Sequence, residues 1–379
     1  MMPSRRSVIA GLGSIAAAPW VVTPAMAATH NGLIFQAGPL GRCDEDKIGG
    51  PIVKWHPTEK TWWMWYYCRD KSWPKDVAPA FGSGRVALAK SDDGIKWTRV
   101  DGPLSMGSVF EPSRDPNTFD SDHLASGDVL FHDGEWIMSY FGGDATLPKE
   151  IGGVPVPEGY QFKGYRGRPG IARSKDGINW TRVKGKGTGG ASVDIGNYIY
   201  GGFPNIFHDG KRFLMAYAML HPRVFYWETH VAESTNLEDW TVIGELKWET
   251  EPAIWELGGS VTRHVLRNPK RSGPKWLMTY SALDSRFQFY PRSIAAAGSD
   301  DGLTWRRLFD QPVLTKGPVN AWDSAGASYS YLVPVAGKLH LYYYGWKEEA
   351  TPVEPSRAIG LAISDDGDLT KFLKVPTGT

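Results

Sequence analysis

One phrase recurs along the chain and limits its fold more than any other feature. It runs Val86 to Trp97 (VALAKSDDGIKW), then Gly170 to Trp180 (GIARSKDGINW), His230 to Trp240 (HVAESTNLEDW) and Ile294 to Trp305 (IAAAGSDDGLTW). A fifth copy, Ile359 to Leu369 (IGLAISDDGDL), has no tryptophan. The copies read as a short alternating strand, a tight turn that is Asp-Gly in four of the five, where glycine supplies a positive φ, and, in the first four, a Trp that opens the next strand. The repeated Ser, Asp, Gly and Trp are therefore scaffold residues, with the Asp side chain satisfying the turn's own backbone donors.

Two more strand signals precede every copy. One is aromatic and alternating: Thr61–Tyr67, Glu135–Tyr140, Arg212–Tyr217, Lys275–Tyr280 and Lys338–Tyr344. The other lies just upstream: Gly50–Trp55, Gly127–Phe131, Pro204–Phe207, Arg263–Leu266 and Ser330–Val333. Four strands in each of five units predict an all-β, five-bladed β-propeller with four-stranded antiparallel blades, spanning 28–379 as one domain. How the ring closes is left open; Leu33–Phe35 resembles the strand that follows the tryptophan and is a candidate to complete the last blade. Gly- and Pro-rich insertions around Arg69–Gly84 and Gly143–Pro169 read as loops that shape a binding face.

Residues 1–27 read as an export signal: Arg5-Arg6, an apolar stretch of small residues, then Ala25-Met26-Ala27. The twin arginine resembles a receptor-read address rather than an anchor, which predicts a periplasmic or secreted protein. The net charge of +1, with scattered basic residues, offers no footprint for nucleic acid or an anionic membrane. No protein partner can be inferred. Cys43 and Cys68 fall in the first unit, and whether they pair is left open. No zinc-like spacing occurs, no cofactor is required, and no metal ligands are assigned; a structural calcium is compatible with converging carboxylates but demanded by no spacing. Aromatic residues make up 13% of the chain, suiting both strands and sugar faces.

Alignment on the inner strands exposes an acidic register. Asp44, Asp120 and Asp323 stand at one distance before Pro51, Gly127 and Ser330, and Glu256 keeps that distance before Arg263. Asp194 precedes Pro204 through a longer loop. The start of the inner strand faces the axial funnel of a propeller, so acids there could converge as glycosidic hydrolysis requires. The competing role is loop capping. Residues peculiar to one or two blades are the stronger functional candidates: Asp46 and Asp122, two residues past the repeated acid, with His123, Arg263 and His264. His264 reads equally as a general acid or as a core histidine. The expected catalytic set is Asp46, Asp122, Asp194 and Glu256; the expected substrate-binding set is Asp44, Asp120, His123, Arg263, His264, Trp322 and Asp323.

The second-blade phrase Phe119–Tyr140 (FDSDHLASGDVLFHDGEWIMSY) with Ser174–Trp180 resembles the five-bladed propeller glycosidases of glycoside hydrolase families 43, 32, 62, 117 and 130. The resemblance covers the mature chain. It implies a secreted glycosidase that cleaves an oligo- or polysaccharide in an axial pocket. The chain departs from that pattern: Gly50 precedes Pro51 where a catalytic acid is usual, and Gly202 stands two positions before Pro204. Arg114-Asp115-Pro116 looks like a family 32 motif but lies outside the strand start. Family 117 would allow a histidine acid, a role His264 could fill. The alternatives are a sugar-binding propeller without catalysis and an enzyme of another reaction type on the same scaffold.

Overall fold

The computed structural model describes residues 31–77, 82–151, 153–156, 161–221, 226–284, 293–347, 357–364 and 367–376. The export signal lies outside them, as do Asp365 and Asp366 of the fifth phrase. The chain forms five antiparallel sheets of four principal strands. From axis to rim, the first blade runs Lys47–His56, Thr61–Arg69, Arg85–Ser91 and Thr98–Arg99, and the second His123–His132, Glu135–Gly143, Arg168–Ser174 and Thr181–Val183. The third comprises Tyr200–His208, Phe213–Leu220, Trp227–Ser234 and Thr241–Glu245, and the fourth Ser260–Arg267, Trp276–Ala282, Ser293–Ser299 and Thr304–Arg307. Gly326–Val335, Lys338–Trp346 and Arg357–Ser364 build the fifth, whose outer edge is closed by Leu33–Phe35 from the chain's start. Leu373–Lys374 pairs with the same third strand. Both ends of the described chain therefore clamp one blade, which shuts the ring and removes a free edge.

The recurring phrase does what its composition dictates. Asp93 Oδ1 accepts the N–H groups of Ile95 and Lys96, and Ser91 Oγ accepts that of Gly94. The second and fourth blades repeat this at Asp176 and Asp301. The third substitutes Asn236 and holds Leu237 at φ +64, a left-handed conformation unusual for a branched side chain. The turns also stitch neighbouring blades. Tyr342 of the fifth blade donates to Gly94 O at 2.9 Å, and Trp65 of the first donates to Gly177 O at 2.9 Å.

Every inner strand carries a register shift at the axis, between Gly49 and Ile52, Ser126 and Asp128, Gly202 and Asn205, Ser260 and Arg263, and Ser328 and Tyr331. Bulges of this kind re-aim side chains. Beyond the bulges the blades share a buried polar belt. Asp128 accepts from Tyr331 Oη at 2.6 Å and Asn205 Nδ2 at 2.7 Å, Lys54 lies 3.6 Å from it, and Asn205 Oδ1 accepts from Val265 N at 2.9 Å. Cys43 and Cys68 are both buried, with their thiols in hydrogen-bond contact.

Candidate functional site

The inner strands begin, the second strands end and the third strands begin on one face of the ring, here termed the entry face. Where they are described, the connections from second to third strand leave and re-enter the sheets there. The opposite face carries tight hairpins such as Asp133-Gly134 and Ala336-Gly337. The floor of the entry face is aromatic: Tyr67, Phe141, Tyr200, Phe203 and Trp227 are buried together, with the partly exposed Tyr329 against them. Phe203 meets Phe141 edge to face at 4.6 Å and Tyr329 at 5.2 Å.

The repeated acids do not form an axial ring. Asp44, fully buried, accepts from Tyr66 Oη at 2.8 Å and Arg99 Nε at 2.6 Å. Asp120 is held by Arg182 Nε at 2.7 Å beside Tyr140. Asp323 accepts from Tyr343 Oη at 2.9 Å and Lys374 Nζ at 2.5 Å. Glu256 accepts from Tyr280 Oη at 2.6 Å, from Ala253 N and from Arg307. In each case the loop entering a blade is clasped to that blade's second-strand tyrosine and to a cation near its rim. Asp44, Asp120 and Asp323, expected to bind substrate, each give one carboxylate oxygen to this clasp, while the Oδ1 of each is buried without a hydrogen bond among the described residues; the same clasp engages Glu256.

The third-blade register is also corrected. The residue two past the clasp donates its backbone N–H to the carbonyl closing the second strand: Asp46 to Arg69, Asp122 to Gly143, Gly258 to Leu283 and Ala325 to Trp346. In the third blade that residue is Ile199, bonded to Leu220 O, so the clasp position is Asn197. Asp194 instead caps a turn, accepting from Thr188 N at 2.8 Å, and is exposed. Its extra loop length hid this in the sequence.

Three other expected substrate contacts are scaffold. His123 is fully buried with Nε2 2.9 Å from Gly164 O, and burial holds its imidazole down to about 4. His264 settles as the core histidine: it stacks on Tyr331 at 3.8 Å, and its Nδ1 accepts from Leu332 N. Burial, with Lys54 nearby, keeps its pKa well below the usual range. Trp322 stacks on Tyr343 and donates to Asn31 O at 2.8 Å, so it covers the blade that the chain's start completes.

Asp46 and Asp122 remain on the entry face, both partly buried. Burial pushes the Asp122 carboxyl above the ordinary carboxylate range; Lys163 opposes the shift, while Asp144 and Asp76 add to it. Asp144 pairs with Arg168 at 3.3 Å, and in the first blade Asp70 pairs with Arg85. These two ion pairs occupy matching places, the acid just after the second strand and the arginine opening the third. Sequence reasoning missed them, although Arg69-Asp70 before Arg85 and Gly143-Asp144 before Arg168 carry the signal. Among the described residues no group of three or more His, Cys, Asp or Glu side chains could hold a metal ion. No helix among them is long and apolar enough to cross a membrane.

No family model and no curated protein matches this chain. Solved structures do. A thermostable family-43 glycoside hydrolase aligns at 16% identity and TM-score 0.57 over 91% of this chain and 96% of its own. An alpha-L-arabinofuranosidase from Lactobacillus brevis aligns at 14% and 0.55 over 93% and 96%. An N-acetylgalactosamine deacetylase from F. plautii, in complex with blood group B trisaccharide, aligns at 15% and 0.60 over 89% and 95%. At these identities the likeness is one of fold: the chain has the five-bladed propeller architecture of solved glycoside hydrolase structures.

Proposed function

We propose that this protein is a glycosidase whose chemistry takes place on the entry face above the first two blades. The observation that supports it is the placement of Asp46 and Asp122. They are the two acids at a position that the other three blades fill with Ile199, Gly258 and Ala325. A carboxyl whose proton affinity is raised by burial suits a proton donor to a leaving oxygen, so Asp122 takes the general-acid role. Asp46 supplies the second carboxylate, which activates water or attacks the anomeric carbon. Asp144 raises the proton affinity of Asp122 while Arg168 holds Asp144 in place. Substrates are oligo- or polysaccharides, and residues 1–27 point to export by the twin-arginine route.

The test is separate Asp46→Asn and Asp122→Asn substitution, assayed on aryl glycosides and oligosaccharides. A loss of turnover of at least about 100-fold in each is expected, since positioned acid-base groups contribute that much. Unchanged hydrolysis in both would sink the assignment. Saturable sugar binding by the unsubstituted protein without turnover would identify a sugar-binding propeller instead.

A further inference from the structure

Among the described residues Arg263 is a charge without a counter-charge. Its side chain is 4% exposed. Nη2 donates to the carbonyls of Ser260 and Val261 on its own strand, while Nε and Nη1 have no partner. Burial alone lowers its pKa, to about 9, and no carboxylate contributes. The guanidinium is therefore still charged at neutral pH. The acid of the polar belt, Asp128, is matched by Lys54 and hydrogen-bonded by Tyr331 and Asn205. An isolated buried charge is too costly to leave uncompensated.

The guanidinium lines a cavity of about 20 Å³ on the axis, together with Gly50, Ser126, Gly127, Phe203 and Tyr329. Ser126 Oγ, also buried, has no partner either. Two residues that line the same small space thus carry donors without partners, one a guanidinium and the other a hydroxyl. Its walls are built in unusual backbone: Gly50, Phe203 and Tyr329 have φ of +58, +54 and +48. Two aromatic residues in the left-handed region are strained, a condition that persists where the surrounding structure imposes it. A side chain on Gly127 is excluded, because a Cβ there would lie 2.1 Å from Pro204 O.

We propose that this cavity is an axial anion site that holds one halide-sized ion, with Arg263 as its counter-charge and Ser126 as a second donor. A cavity needs about 10–15 Å³ to hold one water, so 20 Å³ suits a single small ion. The site is independent of the glycosidase assignment and requires no turnover to detect.

The test uses the full exported chain. Its unfolding midpoint is measured in sodium bromide, sodium acetate and sodium methanesulfonate at matched ionic strength, and a crystal soaked in bromide is examined for anomalous scattering. Bromide is expected to raise the midpoint saturably by about 2 °C over methanesulfonate, and its anomalous peak to sit against Arg263 and Ser126. Arg263→Met should abolish the rise, Ser126→Ala should weaken bromide several-fold, and Arg114→Met at an exposed arginine should change neither. If Arg263→Met does not fold, the anomalous peak in the unsubstituted protein and the Ser126→Ala titration decide. Identical midpoints in all three salts with no axial peak would overturn the proposal. So would a rise in acetate alone that depends on Arg263, which would make a carboxylate the ligand.

Discussion

Asp46 and Asp122 occupy one position in adjacent blades: each donates its backbone N–H, at 3.0 Å, to the carbonyl that ends its blade's second strand, Arg69 for the first and Gly143 for the second. The scaffold fixes their backbones identically, so their different chemistry comes from what surrounds the carboxyls.

For Asp122 that difference is testable by pH. As a proton donor it must be protonated, so turnover falls as pH rises through its raised pKa, and Asp122→Asn removes this limb with the activity. Stability carries the same sign. The folded pKa lies above the unfolded one, so the folded chain binds more protons and loses stability as pH rises between the two values. Asp122→Asn is therefore expected to raise the unfolding midpoint by about 1 °C at pH 7, and the gain should vanish below the ordinary aspartate pKa of about 3.9. Thermal scans across pH read both.

The clasps predict a contrast between blades. Asp120→Ala leaves Arg182 and Tyr140 without their acceptor and should cost about 3–5 kcal/mol in denaturant unfolding. Asn197→Ala, at the equivalent exposed position of the third blade, should stay within about 0.5 kcal/mol. Equal costs would show that the clasp does not hold the blades.

A third expectation concerns the turn phrase. Burial raises the Asp176 carboxyl, but hydrogen bonds from Asn179 and Ile178 outweigh it and bring it to about 2. A depressed folded pKa gives stability that is present above the unfolded value and is lost as pH falls through about 2. Asp176→Ala should cost about 1–2 kcal/mol at neutral pH, and its unfolding curve should merge with that of the unsubstituted chain at the acid end.

Ring closure can be weakened at one residue. Phe35 is buried, meets Tyr66 edge to face at 5.2 Å, and lies under the Arg99 guanidinium at 4.2 Å. Phe35→Ala should cost about 3–4 kcal/mol by equilibrium unfolding. A negligible loss would mean that the strand from the chain's start contributes little to the ring.

Blade count, strand order and the closing strand were legible because each rests on local pattern: alternation, the Asp-Gly turn and the aromatic run repeat within short windows. The acidic register was legible as a pattern but not as a role. Nothing local distinguishes Asp120, whose partner Arg182 is 62 residues away, from Asp122, which has no such clasp. The third blade shows the same limit, since counting residues selects Asp194 whereas the backbone bond of Ile199 selects Asn197. Asp70 with Arg85 and Asp144 with Arg168 pair across insertions whose course no periodicity encodes.

The sequence by itself determined the scaffold, because strand alternation and turn chemistry act between neighbours along the chain. Tertiary structure alone decided which polar groups the scaffold consumes and which it leaves over. It ties Asp44, Asp120, Glu256 and Asp323 to tyrosines and cations, and it seats His264 as a neutral core ring. It leaves Asp122 partly buried with its proton affinity raised, and Arg263 buried beside a cavity with donors unused. These outcomes depend on burial and on partners brought together from separate blades, and a carboxylate or guanidinium acquires its chemistry only from that environment.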